Sequence, residues 1–185
     1  RYGVDTIVGA IDLSTAEKQE NGHHHSPFVH LHMHSEYSVL DGQSKIYEII
    51  ERCQKYGMRA CALTDHGALF GALEFYQAAR KAGIKPIIGS ELYVAKNSRF
   101  DKTGRSAGAS SNHFLLLCEN EVGYHNLCKL SSLGYTEGFH YKPRVDFELL
   151  SKYKEGLIAT SACLAGEIPQ FLLNDDRDAA NDSIK

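Results

Sequence analysis

Three histidines, His30, His32 and His34, alternate with Val29, Leu31 and Met33. An extended chain sends successive side chains to opposite faces, so the imidazoles share one face and the apolar side chains the other. A buried parallel strand is ordinarily apolar on both faces, and neutral imidazole is a common ligand of divalent transition metals. The row therefore reads either as a set of metal ligands or as ordinary histidines on a partly exposed edge strand.

Other metal-competent side chains fall at the ends of apolar runs. Asp65 and His66 (T-D-H-G) directly follow one, and Gly67 permits a tight turn there. Glu91 sits near the end of P-I-I-G-S-E, Cys163 ends I-A-T-S-A-C, and Asp41 lies in the loop after the histidine row. In a barrel of parallel strands the C-terminal strand ends assemble one site from several strands. His113 does not fit this pattern, because it begins its apparent strand. Each residue also has a plain alternative: Asp41 or Asp65 as turn former, Glu91 as surface charge, Cys163 as small buried hydrophobe. Their joint occurrence at strand termini is what favours a metal site.

The elements that must carry these residues follow from periodicity. Residues 28–33 read as a short strand. Ser44 is placed to cap a helix with Ile46, Ile49, Ile50 and Cys53 at helical spacing, closed by Gly57. Residues 59–64 read as a buried strand, 69–82 as a helix ended by Gly83, 86–94 and 113–118 as strands, 122–133 as a helix after Asn120, and 156–161 as a strand. A further helix is expected from about Glu167. Strand and helix in alternation predict an α/β fold of parallel strands with covering helices, a barrel or a doubly wound sheet. Residues 97–112, rich in Ser and Gly, read as a polar loop, and no internal repeat is present.

Composition bounds the rest. The chain has 185 residues, 43% hydrophobic and 23% charged, enough for one domain with a real core. A formal charge of −3 gives no basic excess, so contact with nucleic acid must be local or made by a neighbouring domain. Five cysteines, Cys53, Cys61, Cys118, Cys128 and Cys163, form no C-x-x-C pair and suit reduced thiols in a cytosol. No run approaches the ~20 apolar residues of a membrane helix, and the first thirty residues lack the pattern of a secretory signal. Residues 1–27 read as a leader or linker, and His23, His24 and His25 belong to it rather than to a fixed coordination site.

Six motifs appear in order: H-L-H-M-H-S-E-Y-S-V-L-D-G (30–42), A-L-T-D-H-G (62–67), P-I-I-G-S-E-L-Y-V (86–94), N-H-F-L-L-L (112–117), E-G-F-H-Y-K-P-R-V-D (137–146) and S-A-C-L-A-G-E (161–167). Residues 28–185 resemble the PHP (polymerase and histidinol phosphatase) domain that opens the alpha subunit of bacterial DNA polymerase III. The resemblance implies a distorted barrel of seven strands and helices holding up to three divalent ions. Carried over by motif, the implied ligands are His32, His34, Asp41, His66, Glu91, His113 and Cys163, with Glu91 bridging two ions. His30 then stands behind the ligands, and Asp65 orients His66 or a neighbouring loop. The family completes its site with an Asp-x-His motif that does not occur before Lys185. This chain is therefore expected to carry seven ligands and an incomplete barrel, and to be extended, partnered or prone to association.

The function implied is a metal-dependent 3′–5′ exonuclease within a cytoplasmic replicative polymerase. Its ligand set of N, O and S suits zinc or manganese better than magnesium. Lys142 and Arg144 could contact DNA phosphates or form a solvated surface pair. The implied partners are DNA, the remainder of the alpha subunit, the sliding clamp and a proofreading subunit. Two other readings compete: a structural or partner-binding module without catalysis, and a phosphatase of the histidinol phosphate type.

Overall fold

The computed structural model describes residues 28–39, 41–103 and 111–184. Residues 1–27, expected to be a leader or linker, and residues 104–110, expected to be part of a polar loop, lie outside the described residues. Among the described residues six helices and five strands follow one another: α1 Ile46–Lys55, β1 Ala60–Leu63, α2 Ala72–Lys81, β2 Lys85–Ala95, β3 Ser111–Cys118, α3 Glu121–Thr136, β4 Arg144–Val145, α4 Phe147–Lys152, β5 Leu157–Thr160, α5 Glu167–Leu173 and α6 Arg177–Ile184. The α/β class is as expected, and the strands form an open five-stranded sheet. No helix among the described residues is long and apolar enough to cross a membrane.

β2 organises the sheet. Its first half pairs in parallel with β1, and Tyr93 and Val94 in its second half pair in parallel with β4. Its other edge pairs with β3, antiparallel, over Gly89–Ala95 against Ser111–Leu117, and β3 pairs antiparallel with β5. The all-parallel expectation thus fails at β3, which runs against the other four strands. Among the described residues β2 leads to β3 without a helix between them, and an antiparallel partner needs no helical crossover.

α1, α2, α3 and α5 form where the sequence places helices, whereas α4 and α6 were not anticipated. In α1, Ile46, Ile49, Ile50 and Cys53 are all buried against β1 and α2, and Phe75 of α2 is fully buried beside them. Each such large apolar side chain contributes about 2 kcal/mol of burial. α1 and α2 close with the same device. Gly57 (φ 65°) and Gly83 (φ 74°) take the left-handed conformation after the last turn, and the N–H groups of Met58 and Ile84 reach back to the carbonyls of Cys53 and Ala79. The start of α1 differs from expectation: Lys45 occupies the cap and makes no side-chain bond, while the Ser44 carbonyl accepts from Glu36 N–H. Asn120 caps α3 by accepting from Gly123 N–H, as expected.

The histidine segment is less regular than a strand. It touches β1 through a single parallel bridge, His30 to Cys61, and through the Thr64 N–H bonded to the Met33 carbonyl. A bend at His32 breaks the period of two. Met33 packs on the core, but Leu31 is 46% exposed, so the expected apolar face is only partly realised. The polar loop also holds more structure than its composition suggests. Arg99 is buried, with its Nε 2.7 Å from Glu137 and Nη1 3.1 Å from Asp146 and 3.0 Å from Glu148.

Candidate metal centre

The buried carboxylate of Glu91, 1% exposed, is the centre on which the other side chains converge. Oε2 lies 2.8 Å from His32 Nε2, 2.9 Å from His34 Nε2 and 3.5 Å from His66 Nδ1. Oε1 lies 2.6 Å from His113 Nδ1 and 3.4 Å from Cys163 Sγ. Cys163 Sγ is also 3.5 Å from His113 Nδ1. Four imidazoles, a thiol and a carboxylate from five separate segments therefore meet within a few ångströms.

Each segment is placed by backbone pairing. After β1 the chain continues alongside β2: Glu91 N–H donates to the Asp65 carbonyl, and Gly67 N–H to the Glu91 carbonyl. This sets His66 directly beside Glu91. His113, the misfit of the parallel scheme, is explained by the reversal of β3. Glu91 pairs with Leu115 and Tyr93 with His113, so His113 lies diagonally across the ladder from Glu91 on the same face. The antiparallel direction brings the start of β3 to the end of β2. Cys163 arrives through the segment after β5, where His113 N–H donates to the Ala165 carbonyl.

Asp65 does not join the cluster. Its carboxylate accepts from Ser35 N–H (2.7 Å), Ser35 Oγ (2.8 Å) and Ser38 Oγ (2.7 Å), and Ser38 Oγ accepts in turn from His66 N–H. It thereby ties the 35–38 turn and the His66 backbone into one buried network. Asp41 is exposed, with Oδ2 3.3 Å from His66 Nε2. His30 stays outside: its ring packs edge-on against Phe28 at 4.7 Å between centroids. Its backbone pairs beside Cys61, five residues before His66, and the bend at His32 lies between it and the cluster.

Electrostatics follow from this geometry. Burial pushes the Glu91 carboxyl up, but hydrogen bonds from His113, His34 and His32 hold it well below the usual carboxylate range. Burial and the neighbouring His34 bring His66 down to about 4, so its ring is neutral at physiological pH. Burial pushes the Cys163 thiol up, and Glu91 beside it adds to that.

The donor set fits divalent metal ions. Two triads, His32–His34–Glu91 and His66–Glu91–His113, each bring three ligand atoms within 4.8 Å of one another, and both use Glu91. A tetrahedral ion with bonds of ~2.0–2.2 Å needs ligand atoms about 3.4 Å apart, within that spacing. His34 Nδ1 and His66 Nδ1 are buried without a hydrogen-bond partner, the latter because its 3.5 Å approach to Glu91 lacks hydrogen-bond geometry. An unpaired buried ring nitrogen costs about 1–3 kcal/mol, and ligation at His66 Nδ1, which faces Glu91, would offset it, whereas His34 turns Nε2 to the cluster.

A cleft of about 600 Å³ adjoins the cluster, with Asp41, Tyr93, His113 and Lys142 on its wall. Tyr93 escaped the sequence reading. Its ring stacks on His66 at 5.8 Å, meets His113 edge-on at 5.1 Å and lies 5.2 Å from Lys142 Nζ. The sequence signal was its place two residues after Glu91, hence on the same face of β2.

Arg144 is corrected. It is 1% exposed, and its guanidinium donates to the carbonyls of Gly138 (3.1 Å), Arg99 (3.1 Å) and Asp101 (2.8 Å). Those bonds take it away from any DNA phosphate and make it a clamp between the 137–144 turn and the 99–101 loop.

A sequence profile of the PHP domain matches residues 30–185. The chain is 56% identical over 160 residues to a DNA polymerase III alpha subunit of Borreliella burgdorferi, covering 86% of this chain and 14% of that protein. It is 51% identical over 157 residues to the alpha subunit of Chlamydia trachomatis, covering 85% and 13%. The chain thus spans about one seventh of the length of these relatives. A solved structure from Bifidobacterium adolescentis, described as a metal-dependent phosphoesterase, aligns over 56% of this chain and 32% of its own, at 20% identity and a TM-score of 0.40. That likeness is too loose to add to the assignment, which rests on the profile covering nearly all of the described residues. This chain belongs to the PHP domain family.

Proposed function

We propose that this chain is the PHP region of a bacterial replicative DNA polymerase, and that its Glu91 cluster holds divalent ions for hydrolysing DNA phosphodiesters from the 3′ end. One observation carries the reading: a single buried carboxylate met by four imidazoles and a thiol. The relatives named above, alpha subunits of DNA polymerase III, support the replicative context. His32, His34, Glu91, His66, His113 and Cys163 would hold the ions, with Asp41 completing the set at the rim. The mixed N, O and S donors favour zinc or manganese. Bound, the ions would supply Lewis acidity and a water of lowered pKa.

The chain's own residues do the rest. Asp65, through Ser38, fixes the backbone at His66. Lys142, on the cleft wall, is placed to take a phosphate of the incoming strand as a point charge. The cleft beside the cluster has room for a terminal nucleotide. In this role the partners are DNA, the remainder of the alpha subunit, the sliding clamp and a separate proofreading subunit, in the bacterial cytoplasm.

The test is elemental analysis beside a His32→Ala/His34→Ala variant, followed by digestion of single-stranded DNA ends by the metal-loaded full-length polymerase, freed of other nucleases. Stoichiometric zinc or manganese, lost in the variant, together with 3′ shortening of the DNA, supports the proposal. Metal without shortening reduces the site to a structural role, and no metal in either protein removes the site altogether.

A further inference from the structure

Large rings cluster in the open around the 137–144 turn. Phe70 is 66% exposed, Tyr135 40%, Phe139 49% and Tyr141 59%. Three of them form a contiguous row: Phe70 and Tyr135 lie 6.2 Å apart between centroids, and Tyr135 and Phe139 stack at 6.2 Å with planes 23° apart. None of these rings closes a core. Single exposed apolar residues need no explanation, but a run of aromatics on one face does.

The backbone goes out of its way to present the fourth ring. Tyr141 has φ 62°, a left-handed conformation that a bulky side chain rarely adopts. The turn is pinned on both sides, by His140 N–H bonded to the Lys142 carbonyl and by the Arg144 clamp. Strain of this kind persists where the surroundings over-determine it, and such places are commonly functional.

The helix and turn that carry these rings pack on the loop that holds His66. Ser131, one helical turn before Tyr135, donates to the Gly67 carbonyl next to His66. A Cβ on Gly67 would meet Pro143 at 2.7 Å, so the turn carrying Tyr141 lies directly on the His66 loop. Lys142, adjacent to Tyr141, reaches over Tyr93, whose ring stacks on His66. Exposed aromatic faces next to a cation are the combination that binds single-stranded nucleic acid, since every base has a face to stack and every linkage a charge to neutralise.

We propose that Phe70, Tyr135, Phe139 and Tyr141, with Lys142, form a stacking track for the unpaired bases of a single-stranded DNA end leading to the metal cluster. The inference rests on the proposed nuclease reading for its direction, but binding by the track does not require hydrolysis. Stacking is indifferent to base identity, so the track is sequence-tolerant.

The experiment is a fluorescence-anisotropy titration of the full chain, in the presence of a chelator, with a labelled short oligothymidylate and with an abasic strand of the same length. The variants are Phe70→Ala, Tyr135→Ala/Phe139→Ala and Tyr141→Gly, the last accepting a φ of 62° without strain, each checked for fold by circular dichroism. Each is expected to bind oligothymidylate about tenfold more weakly and the abasic strand as the parent does, while Tyr141→Phe binds both normally. Undiminished affinity in the folded variants, or equal losses on both strands, overturns the track. Ring-dependent binding without 3′ shortening by the metal-loaded protein keeps the track and removes the nuclease reading. Shortening with variants that bind normally does the reverse.

Discussion

His113 Nδ1 lies 2.6 Å from Glu91 Oε1 because β3 runs antiparallel to β2 and sets the two residues diagonally on one face of the ladder. In a parallel arrangement the start of β3 would stand at the opposite end of the sheet from His66, and the second donor triad would not exist. One strand reversal therefore decides whether the centre has one group of three donors or two.

Glu91 belongs to both triads, so Glu91→Gln is expected to remove most of the bound divalent metal, measured by elemental analysis after loading. Losing the charge also weakens the bonds to His32, His34 and His113, each worth about 1.5–3 kcal/mol when charge-assisted. The metal-free variant should accordingly melt below the metal-free parent. Unchanged metal content would show that the ions do not depend on this carboxylate.

Lys142 and Arg144 are two residues apart and are expected to respond differently. Arg144→Ala strands three carbonyls and opens a buried clamp, so unfolding in urea should show a loss of about 3 kcal/mol. Lys142→Ala should leave stability within ~0.5 kcal/mol while weakening single-stranded DNA binding and reducing its salt dependence by about one counterion. Similar stability losses in both would contradict the burial of one and the placement of the other on the cleft wall.

Asp146 caps α4 and receives Arg99. Burial pushes its carboxyl up, but the backbone N–H groups of Arg99 and Leu149 and the Arg99 guanidinium hold it below its ordinary 3.8. A carboxylate depressed in the folded state contributes stability above the unfolded value, and that stability is lost as pH falls from about 3.8 through the folded value. Asp146→Asn is expected to destabilise the protein by about 2–3 kcal/mol at neutral pH and to flatten the acid limb of a stability–pH curve below pH 4. An acid limb identical to the parent's would place the proton uptake elsewhere.

Gly67→Ala should be costly for two independent reasons. Its φ of 62° disfavours any side chain, and the added methyl would sit 2.7 Å from Pro143. The expected loss is about 1–2 kcal/mol, with weaker metal binding because the shift falls on the residue next to His66. A melting temperature equal to the parent's would mean that the 140–143 turn can move away freely.

The sequence by itself determined the family, four of the six described helices and a set of candidate metal-binding side chains. Ile46, Ile49, Ile50 and Cys53 announce a buried helix face because helical period is a local property, and Gly57 and Gly83 mark the helix ends for the same reason. His32, His34, His66, Glu91, His113 and Cys163 could be named as candidate ligands from motif alone, and the structure brings all six side chains together. Tertiary structure alone decided which neighbours share a site. His30 pairs beside Cys61 and stays outside the cluster, although alternation alone grouped it with His32 and His34. The direction of β3 depends on pairing with residues 16 to 28 positions earlier, which no local period reports. Arg144 looks like surface charge in Y-K-P-R, since an isolated guanidinium is cheapest in water. Only the folded chain shows three carbonyls converging on it, and it is their convergence that makes its burial affordable.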